Sequence, residues 1–280
     1  MPQLTHRIGL GQMLVEGGNP EANLARAERF IKEAAERDCR LVVLPECLDF
    51  GWTDPSARAG AHPIPGPHSE QLAKSAIEHQ IFVVAGLVER AGVRLYNSAV
   101  LIDPRGEVLL VHRKINELTV AQDLYSIGDR LAVAETELGT LAVSICADNK
   151  MDSLAIGHTL ARMGAQLLLA PSAWALDASH DLEAEPYGEK WRRSYGELGR
   201  LYNLPVVGVS NVGWVTDGPW KGRKVVGCSL ATNTRGEPVA RAPAGETSEA
   251  LVVVDIELRQ ISTQGTQLID ELASRGYVGP

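Results

Sequence analysis

Three reactive side chains stand where apolar runs of the sequence stop: Glu46 in VVLPECLDFGW, Lys114 in VLLVHRKINEL and Cys146 in VSICADNKM. In α/β sheets, ligands bind in the crevice outside the strand ends, so these three groups are expected to meet there. A thiolate can attack a carbonyl-like carbon, a carboxylate can take the thiol proton and later activate water, and an ammonium can stabilise the oxyanion. The set therefore predicts covalent hydrolysis by a cysteine nucleophile.

Each of the three residues also has a structural explanation when it is taken alone. Cys146 fits a packing thiol, because free cysteine is among the most buried residue types. Glu46 fits a solvated loop acid and Lys114 a surface charge at a strand end. The motifs GxSxG, HExxH and GxxxxGK[ST] are absent from the sequence, which leaves serine-hydrolase, zinc-protease and nucleotide-binding interpretations without support.

The elements that must position these residues alternate between short apolar runs and helical patterns, which predicts an α/β fold. Asn19, Pro20 and Glu21 mark the start of a first helix that ends near residues 37–38. Further helices are predicted at 69–79, 154–163 and 190–202. Strands are predicted at 41–44, 81–87, 97–103, 107–112, 131–135, 141–146, 166–170, 205–210 and 251–256. Cys146 then lies at a junction between a strand and a helix.

Length and composition predict one compact domain. The chain has 280 residues, of which 45% are hydrophobic and 22% charged, as in ordinary globular proteins. No linker rich in Pro, Gly or Ser divides it, so residues 1–280 are predicted to form a single domain. Residues from about 260 to 280 are expected to form a tail that packs on a partner subunit.

Charge and cysteine usage exclude several classes of partner. The net charge of −8 is spread along the chain without a long basic run, so nucleic acid is not expected to bind. No basic start with an apolar core and no run of 18 apolar residues occurs, so we expect a cytoplasmic protein without a membrane partner. The four cysteines show no CxxC spacing, which argues against a disulfide framework or a zinc site, and the chemistry requires no metal or organic cofactor.

Segments along nearly the whole chain carry a resemblance to a known family: Leu44-Pro45-Glu46, Tyr96 to Glu107, His112-Arg113-Lys114, Cys146 with Asp148, Gly164-Ala165, Ala170 to Trp174, and Gly227-Cys228-Ser229 leading into Arg235-Gly236-Glu237. Through these segments the chain resembles the nitrilase superfamily of carbon–nitrogen hydrolases. The resemblance implies a four-layer αββα sandwich of the nitrilase type. It also implies a homodimer or a higher homo-oligomer.

The resemblance further implies a role for each site residue. Glu46 would be the general base, Lys114 the oxyanion stabiliser and Cys146 the nucleophile, with the backbone N–H of Ala147 as a second oxyanion donor. Many relatives carry a second acid that holds the lysine and the substrate. Two residues could fill that position: Asp123, five residues before Gly128, is preferred on spacing, and Glu117 is the nearest glutamate.

The segment after the nucleophile departs from the family's common pattern Cys-Tyr-Asp-x-Arg-Phe-Pro-Glu. Ala147 replaces the aromatic residue and leaves room beside the thiol, while Lys150 replaces the arginine. A lysine offers a point charge where arginine offers a bidentate fork, which counts against a carboxylate-bearing substrate. Asp152 and Ser153 replace the last two residues and can still cap the following helix.

Two further groups of residues could line the substrate site. Between Trp174 and Trp191 lies an acidic insertion, which predicts either a cationic or polyhydroxyl substrate or a solvated loop; its acids are Asp177, Asp181, Glu183, Glu185 and Glu189. Aromatic residues could form a pocket wall or pack in the core; these are Trp52, Tyr125, Trp174 and Trp191.

The preferred function is hydrolysis of a small linear amide through a thioester on Cys146, with release of ammonia or an amine. The alternative is hydrolysis of an N-carbamoyl amine or amino acid. A nitrilase is disfavoured, because relatives that act on nitriles tend to have Cys-Trp-Glu where this chain has Cys146-Ala147-Asp148. A non-catalytic interaction protein that kept the fold is the least favoured possibility.

Overall fold

The computed structural model describes residues 4–259 and 268–278, which form helices and strands in alternation. The helices are α1 (Pro20–Glu36), α2 (Ala57–Gly60), α3 (Pro67–His79), α4 (Leu154–Arg162), α5 (Glu189–Tyr202) and α6 (Leu268–Ser274). The strands of the first half are β1 (Leu4–Gln12), β2 (Leu41–Val43), β3 (Phe82–Ala91), β4 (Arg94–Ile102), β5 (Val108–Arg113), β6 (Val133–Thr136) and β7 (Gly139–Val143). Those of the second half are β8 (Leu167–Ser172), β9 (Ala175–Leu176), β10 (Val206–Ser210), β11 (Val212–Trp214), β12 (Lys224–Val226), β13 (Leu230–Thr232), β14 (Pro238–Arg241) and β15 (Ala250–Leu258).

Helix α1 shows how local sequence sets an element. The Asn19 side chain accepts a hydrogen bond from the Ala22 N–H, and Pro20 occupies the first turn, where its missing N–H costs nothing. One face of the helix, which includes Leu24 and Phe30, is buried. The predicted start and end of this helix are confirmed within two residues.

Two six-stranded sheets pack face to face between two layers of helices. The first sheet has the order β15-β1-β2-β3-β4-β5 and the second β14-β13-β10-β8-β7-β6. Ile8 and Val84 of the first sheet share one hydrophobic core with Val143 and Leu169 of the second. Helices α1 and α3 cover the outer face of the first sheet, and α4 and α5 that of the second. The predicted four-layer αββα sandwich is confirmed.

The structure differs from the predicted elements in several places. Strand β1, next to the middle of the first sheet, was not predicted, because Gly9 and Gly11 interrupt its apolar pattern. The small sheet of β11, β12 and β9 was also not predicted. Strand β7 ends at Val143, so Cys146 lies beyond the strand rather than at its last position.

The tail is described in part. Leu268 and Leu272 of α6 are buried in the core shared by the two sheets, and the Arg275 side chain donates to the Leu201 carbonyl at 2.8 Å. Residues 260–267 and 279–280 lie outside the described residues. Packing of the tail on a partner subunit, the homo-oligomer and the cytoplasmic location stay predictions. None of the helices in the described ranges has the length and apolar composition needed to span a bilayer.

Gly86 on β3 permits the close approach of the segment that carries Glu46. A Cβ at Gly86 would lie 2.5 Å from the Glu46 Cα and 2.7 Å from the Pro45 carbonyl oxygen. The Gly86 N–H donates to that same carbonyl at 2.9 Å, and its own carbonyl accepts from the Leu48 N–H. The position of Glu46 therefore depends on the absence of a side chain on the neighbouring strand.

Gly86→Ala should lower the free energy of unfolding by about 1–3 kcal/mol, because the added methyl meets backbone atoms that cannot rotate away. The measurement is urea denaturation followed by circular dichroism. Gly9→Ala in the same sheet is the control, since its methyl would meet only side-chain atoms at 3.2 Å or more. Equal stability of the two variants would contradict the proposed role of Gly86.

Candidate active site

Glu46, Lys114 and Cys146 converge in the space between the two sheets. Glu46 follows β2, Lys114 follows β5 at once, and Cys146 follows β7. The Glu46 N–H donates to the Ser172 carbonyl of the second sheet at 3.3 Å, and the Lys114 N–H donates to the Asn97 carbonyl of the first at 2.9 Å. The three predicted residues are thus brought together by strand ends of both sheets.

The ammonium group of Lys114 lies between two buried carboxylates. Its Nζ is 2.7 Å from Glu46 Oε1 and 3.3 Å from Glu117 Oε1. All three side chains are at most 1% exposed. The Asn97 amide donates to Glu46 at 2.6 Å and to Glu117 at 3.3 Å, so one amide bridges both acids.

Burial and the charges of neighbouring groups shift the pKa values of this cluster in opposite directions. Burial lowers the pKa of Lys114, but Glu46, Glu117 and Cys146 outweigh it, and the net pKa lies well above the ordinary value. Burial raises the pKa of Glu117, and Glu46 adds to the rise, while Lys114 opposes it. Lys114 therefore stays a cation at neutral pH.

The structure places Glu117, not Asp123, beside the lysine. Asp123 is exposed, and its backbone carbonyl accepts a hydrogen bond from Arg58 at 2.8 Å. A 3₁₀ turn at Thr119–Ala121 separates the two acids and directs the later one toward solvent. The preference for Asp123 on spacing is thus corrected by the path of the chain.

Cys146 sits in a tight turn with a backbone φ of +43°, a left-handed conformation that is unusual for a residue with a side chain. It is 8% exposed, and the Ala173 N–H interacts with its thiol. Burial raises the pKa of Cys146 to about 12, and the Glu46 carboxylate adds to the rise, while Lys114 opposes it. At neutral pH the thiol is therefore protonated at rest.

Asp148 ties the segment of Cys146 to the segment of Lys114. Its carboxylate accepts from the Ile145 N–H at 3.0 Å and from the N–H groups of Ile115 and Asn116 at 3.1 and 2.7 Å. His112 Nε2 lies 2.8 Å from the same group. Burial raises the pKa of Asp148, but these hydrogen bonds outweigh it and the net pKa is lowered. Asp148 is thus a buried anion that joins the two strand ends.

Asn116 adds a second tie between the same segments. Its side-chain amide donates to the Ala147 carbonyl at 2.9 Å and also to the Ser153 hydroxyl. Ala147 is itself buried at 1% exposure, in the turn that carries the thiol. The turn that carries Cys146 is therefore fixed by hydrogen bonds at Ala147 as well as at Asp148.

Aromatic rings from the second half of the chain line one side of the site. Trp174 follows Ala173 and stacks on Trp191 with ring centroids 4.9 Å apart. Trp191 Nε1 donates to the Tyr187 hydroxyl at 2.9 Å. The Tyr187 carbonyl accepts from the Cys228 thiol at 3.0 Å and also from Arg241. We call the rings of Trp174, Tyr187 and Trp191 the aromatic shelf.

The other predicted aromatic residues have separate places. Trp52 packs on Trp220 at 4.7 Å, and the Lys114 ammonium lies 5.9 Å from its ring. The Tyr125 hydroxyl accepts from the Thr53 N–H at 3.1 Å and contacts the Cys47 thiol, deep in the protein. Trp52 thus borders the lysine, whereas Tyr125 packs in the core.

The acidic insertion lies at the surface, and its five acids are exposed. Asp177 and Asp181 accept hydrogen bonds from the N–H groups of Ser179 and Glu183, and Glu189 pairs with Arg192. Within residues 4–259 and 268–278, no three side chains of His, Cys, Asp or Glu are grouped to hold a metal ion.

Sequence reasoning missed Asn97, His112 and Tyr187 as parts of the site. Asn97 and His112 are polar residues within strands that are otherwise largely apolar, and this was the available signal. No periodic signal marks Tyr187, which lies in an irregular segment.

Known proteins resemble the chain in sequence and in fold. The carbon–nitrogen hydrolase family profile matches residues 7–264. Omega-amidase NIT2 of Xenopus tropicalis is 33% identical over 178 residues, which cover 60% of this chain and 63% of that protein. The bifunctional nitrilase/nitrile hydratase NIT4 of Oryza sativa subsp. japonica is 31% identical over 189 residues, which cover 57% and 52%. The chain thus spans less than two thirds of the length of these relatives.

The fold resembles that of a mutant amidase from Nesterenkonia sp. AN1, which shows covalent addition of the acetamide moiety of fluoroacetamide at the active site cysteine. The TM-score is 0.77 at 22% sequence identity, and the match covers 98% of this chain and 95% of that one. At this identity the likeness concerns the fold.

Glu46→Gln should increase the rate at which iodoacetamide alkylates Cys146 at pH 8. The Glu46 carboxylate raises the pKa of the thiol, so its neutralisation beside the Lys114 cation favours the reactive thiolate. Mass spectrometry of the Cys146 peptide gives the rate. Cys39 is the control, since burial raises its pKa to about 11 and Glu46 takes no part. Slower alkylation of Cys146 in the variant would contradict this account.

Asp148→Asn should lower the free energy of unfolding at pH 7 by about 1–3 kcal/mol, because a buried acceptor of charge-assisted hydrogen bonds is lost. The pKa of Asp148 is lowered in the folded chain, so its contribution is full above about pH 4 and is lost as the pH falls below that. Urea denaturation at pH 7 and pH 3.5 measures the difference. Asp152→Asn, an exposed position nearby, should have little effect at either pH; an equal loss there would refute the assignment.

Proposed function

The chain belongs to the carbon–nitrogen hydrolase family, and from this premise we propose that it hydrolyses a small linear amide through a thioester on Cys146. One observation carries the proposal. The buried Lys114 ammonium lies 2.7 Å from Glu46, and both groups interact with a thiol that is held in a strained turn. A base, an oxyanion-stabilising cation and a nucleophile are thus available in one water-poor site.

In the first half of the proposed reaction, the thiol of Cys146 becomes acylated by the substrate. Because the thiol is protonated at rest, the Glu46 carboxylate takes its proton as sulfur attacks the amide carbon. The carbonyl oxygen becomes an oxyanion beside the Lys114 ammonium and the Ala147 N–H. When the oxyanion collapses, the carbon–nitrogen bond breaks, and the proton on Glu46 passes to the leaving nitrogen as ammonia or an amine departs.

In the second half, water releases the acyl group. Glu46, again a carboxylate, takes a proton from water as the water oxygen attacks the thioester carbon. Collapse breaks the carbon–sulfur bond, the proton on Glu46 returns to the thiolate, and a carboxylic acid leaves. Glu117 and Asn97 have a positioning role, since they hold the lysine and the base.

An amide is favoured over the other substrate classes on two observations. The exposed acids of the insertion engage neighbouring backbone and arginine groups, which removes the main argument for an amine-tailed carbamoyl substrate. The residues after the nucleophile are Ala147 and Asp148, rather than the Trp-Glu pair of relatives that act on nitriles.

The test is a screen of linear amides, N-carbamoyl amines and nitriles with ammonia as the readout. Wild type should release ammonia from amides without carbon dioxide, and Cys146→Ala should release none. Glu46→Gln should reduce kcat by about 10²–10⁴-fold, the usual range for loss of a general base. Cys39→Ala is the matched control and should keep full activity. Release of carbon dioxide with ammonia would favour the carbamoyl alternative, and ammonia release by Cys146→Ala would refute the mechanism.

A further inference from the structure

A small cavity lies at the carboxyl end of the second sheet, where the nucleophile also lies. Strands β7, β8 and β10 are parallel neighbours in this sheet, and the register pairs Ser172 at the end of β8 with Ser210 at the end of β10. Cys146 comes after β7, Ala173 directly after β8 and Asn211 directly after β10. Ala173 and Asn211 line the cavity, which has a volume of about 20 Å³. The ends of the strands thus place this cavity in the crevice where ligands of α/β sheets bind.

Two wall residues of the cavity also contact the reacting groups. The Ala173 N–H interacts with the Cys146 thiol, and the carbonyl of the residue before Ala173 accepts a hydrogen bond from the Glu46 N–H at 3.3 Å. Trp52 lines the cavity as well, and its ring lies 5.9 Å from the Lys114 ammonium. The cavity is therefore one residue away from the nucleophile and from the oxyanion-stabilising cation, within reach of a substituent on a short acyl chain.

Two of the residues that line the cavity carry buried polar atoms without partners. Trp52 Nε1 is a donor and Asn211 Oδ1 is an acceptor, and neither forms a hydrogen bond within residues 4–259 and 268–278. The two residues are 7% and 5% exposed. A buried donor or acceptor without a partner is costly, and most such groups in folded proteins are paired. We therefore expect a ligand that supplies an acceptor to Trp52 and a donor to Asn211.

Asn211 and Trp52 are held in place before any ligand binds. The Asn211 carbonyl accepts from the Gly227 N–H at 3.0 Å and from the Ser210 hydroxyl at 3.2 Å. That hydroxyl in turn accepts from the Trp174 N–H at 2.9 Å, which ties Asn211 to the segment after β8. The Trp52 ring packs on another tryptophan ring with centroids 4.7 Å apart. A preformed pair of this kind binds a ligand group without the entropic cost of ordering side chains.

The size and the charges of the cavity restrict the ligand group further. Its volume of about 20 Å³ exceeds the about 10–15 Å³ that one bound water requires, so a hydroxyl-sized group fits and a ring does not. Asp54 and Asp217 also line the cavity, and they repel a carboxylate. An ammonium group has no acceptor and would leave the Trp52 N–H unpaired. A hydroxyl group is neutral, and it both accepts and donates a hydrogen bond.

We propose that Trp52 and Asn211 are specificity-determining residues that bind a hydroxyl group on the acyl chain of the substrate. The Trp52 N–H donates to the hydroxyl oxygen, and the hydroxyl hydrogen is donated to Asn211 Oδ1. The substrate class is then a short linear amide that carries a hydroxyl group close to its carbonyl carbon. This inference rests on the proposed amide hydrolysis and adds the part of the acyl chain that the site recognises.

The first experiment compares amides of equal length and shape in wild type. Glycolamide is paired with propionamide, and 3-hydroxypropionamide with butyramide, so that a hydroxyl replaces a methyl group in each pair. In at least one pair kcat/KM should be about 10–100-fold higher for the hydroxy amide, because the methyl group leaves both polar atoms unpaired. The cation 3-aminopropionamide should be no better than butyramide. Equal kcat/KM within both pairs, or a preference for the amine, would overturn the inference.

Variants of Asn211 separate recognition of the hydroxyl group from a structural role. Asn211→Leu removes the acceptor at similar size, so kcat/KM should fall about 10–100-fold for the preferred hydroxy amide and change within about threefold for its partner. Asn211→Asp keeps an acceptor and should retain most of the preference. Gln71→Leu on α3 is the matched control and should change neither amide. An equal loss on both members of a pair in Asn211→Leu would mean a structural role and would overturn the inference, as would no loss on either.

A binding measurement distinguishes failure of this inference from failure of the reaction. The four amides are titrated calorimetrically into Cys146→Ala and into Cys146→Ala with Asn211→Leu. Tighter binding of a hydroxy amide than of its partner, seen only with Asn211 present, supports the inference even if no amide is hydrolysed, in which case only the proposed reaction fails. Equal binding within both pairs by Cys146→Ala overturns the inference, while Cys146-dependent release of ammonia from butyramide would leave the proposed function standing.

Discussion

The site depends on the burial of one ammonium between two carboxylates. An isolated charge in the interior costs several kcal/mol, and it is tolerated only when partners and hydrogen bonds surround it. Lys114 meets this requirement through Glu46 and Glu117, and Asn97 donates to both acids. Burial is the largest cause of the raised pKa of Cys146, and the Glu46 carboxylate adds to it, so that the two effects together outweigh the lysine. A thiol in this environment has to lose its proton during attack rather than before it.

Such a cluster functions only if strand ends from two different sheets stay in register with each other. The sheets meet through apolar side chains, and apolar contacts are not directional. Asp148 and Asn116 make directional hydrogen bonds, which link the turn of Cys146 to the residues after Lys114. Gly86 helps to position Glu46, because the absence of a side chain on Gly86 lets the segment of Glu46 lie against β3. Hydrogen bonds at the ends of the strands thus fix an alignment of the two sheets that apolar packing alone does not determine.

The sequence predicts the layers and the three reactive residues well, because these depend on local and periodic signals. Helix α1 follows from Asn19, Pro20 and its apolar spacing, and the strand ends follow from abrupt changes in polarity. The choice between Glu117 and Asp123 could not be made in this way, since distance along the chain does not tell which way a 3₁₀ turn directs the side chains after it. For Asn97 the sequence offered only a polar residue inside an apolar strand, because the partner that gives it a role, Glu46, is 51 residues away.

The anchoring of Tyr187 has a consequence for how the site discriminates among ligands. Its carbonyl is held from behind by Cys228 and Arg241, which belong to the second sheet and its margin. A wall fastened to a sheet loses little conformational entropy when a ligand arrives, so binding energy is not consumed in ordering it. The wall that Tyr187 forms is then preformed. Substitutions at Cys228, or at Arg241 on β14, can change the shape of this wall without altering the reacting groups.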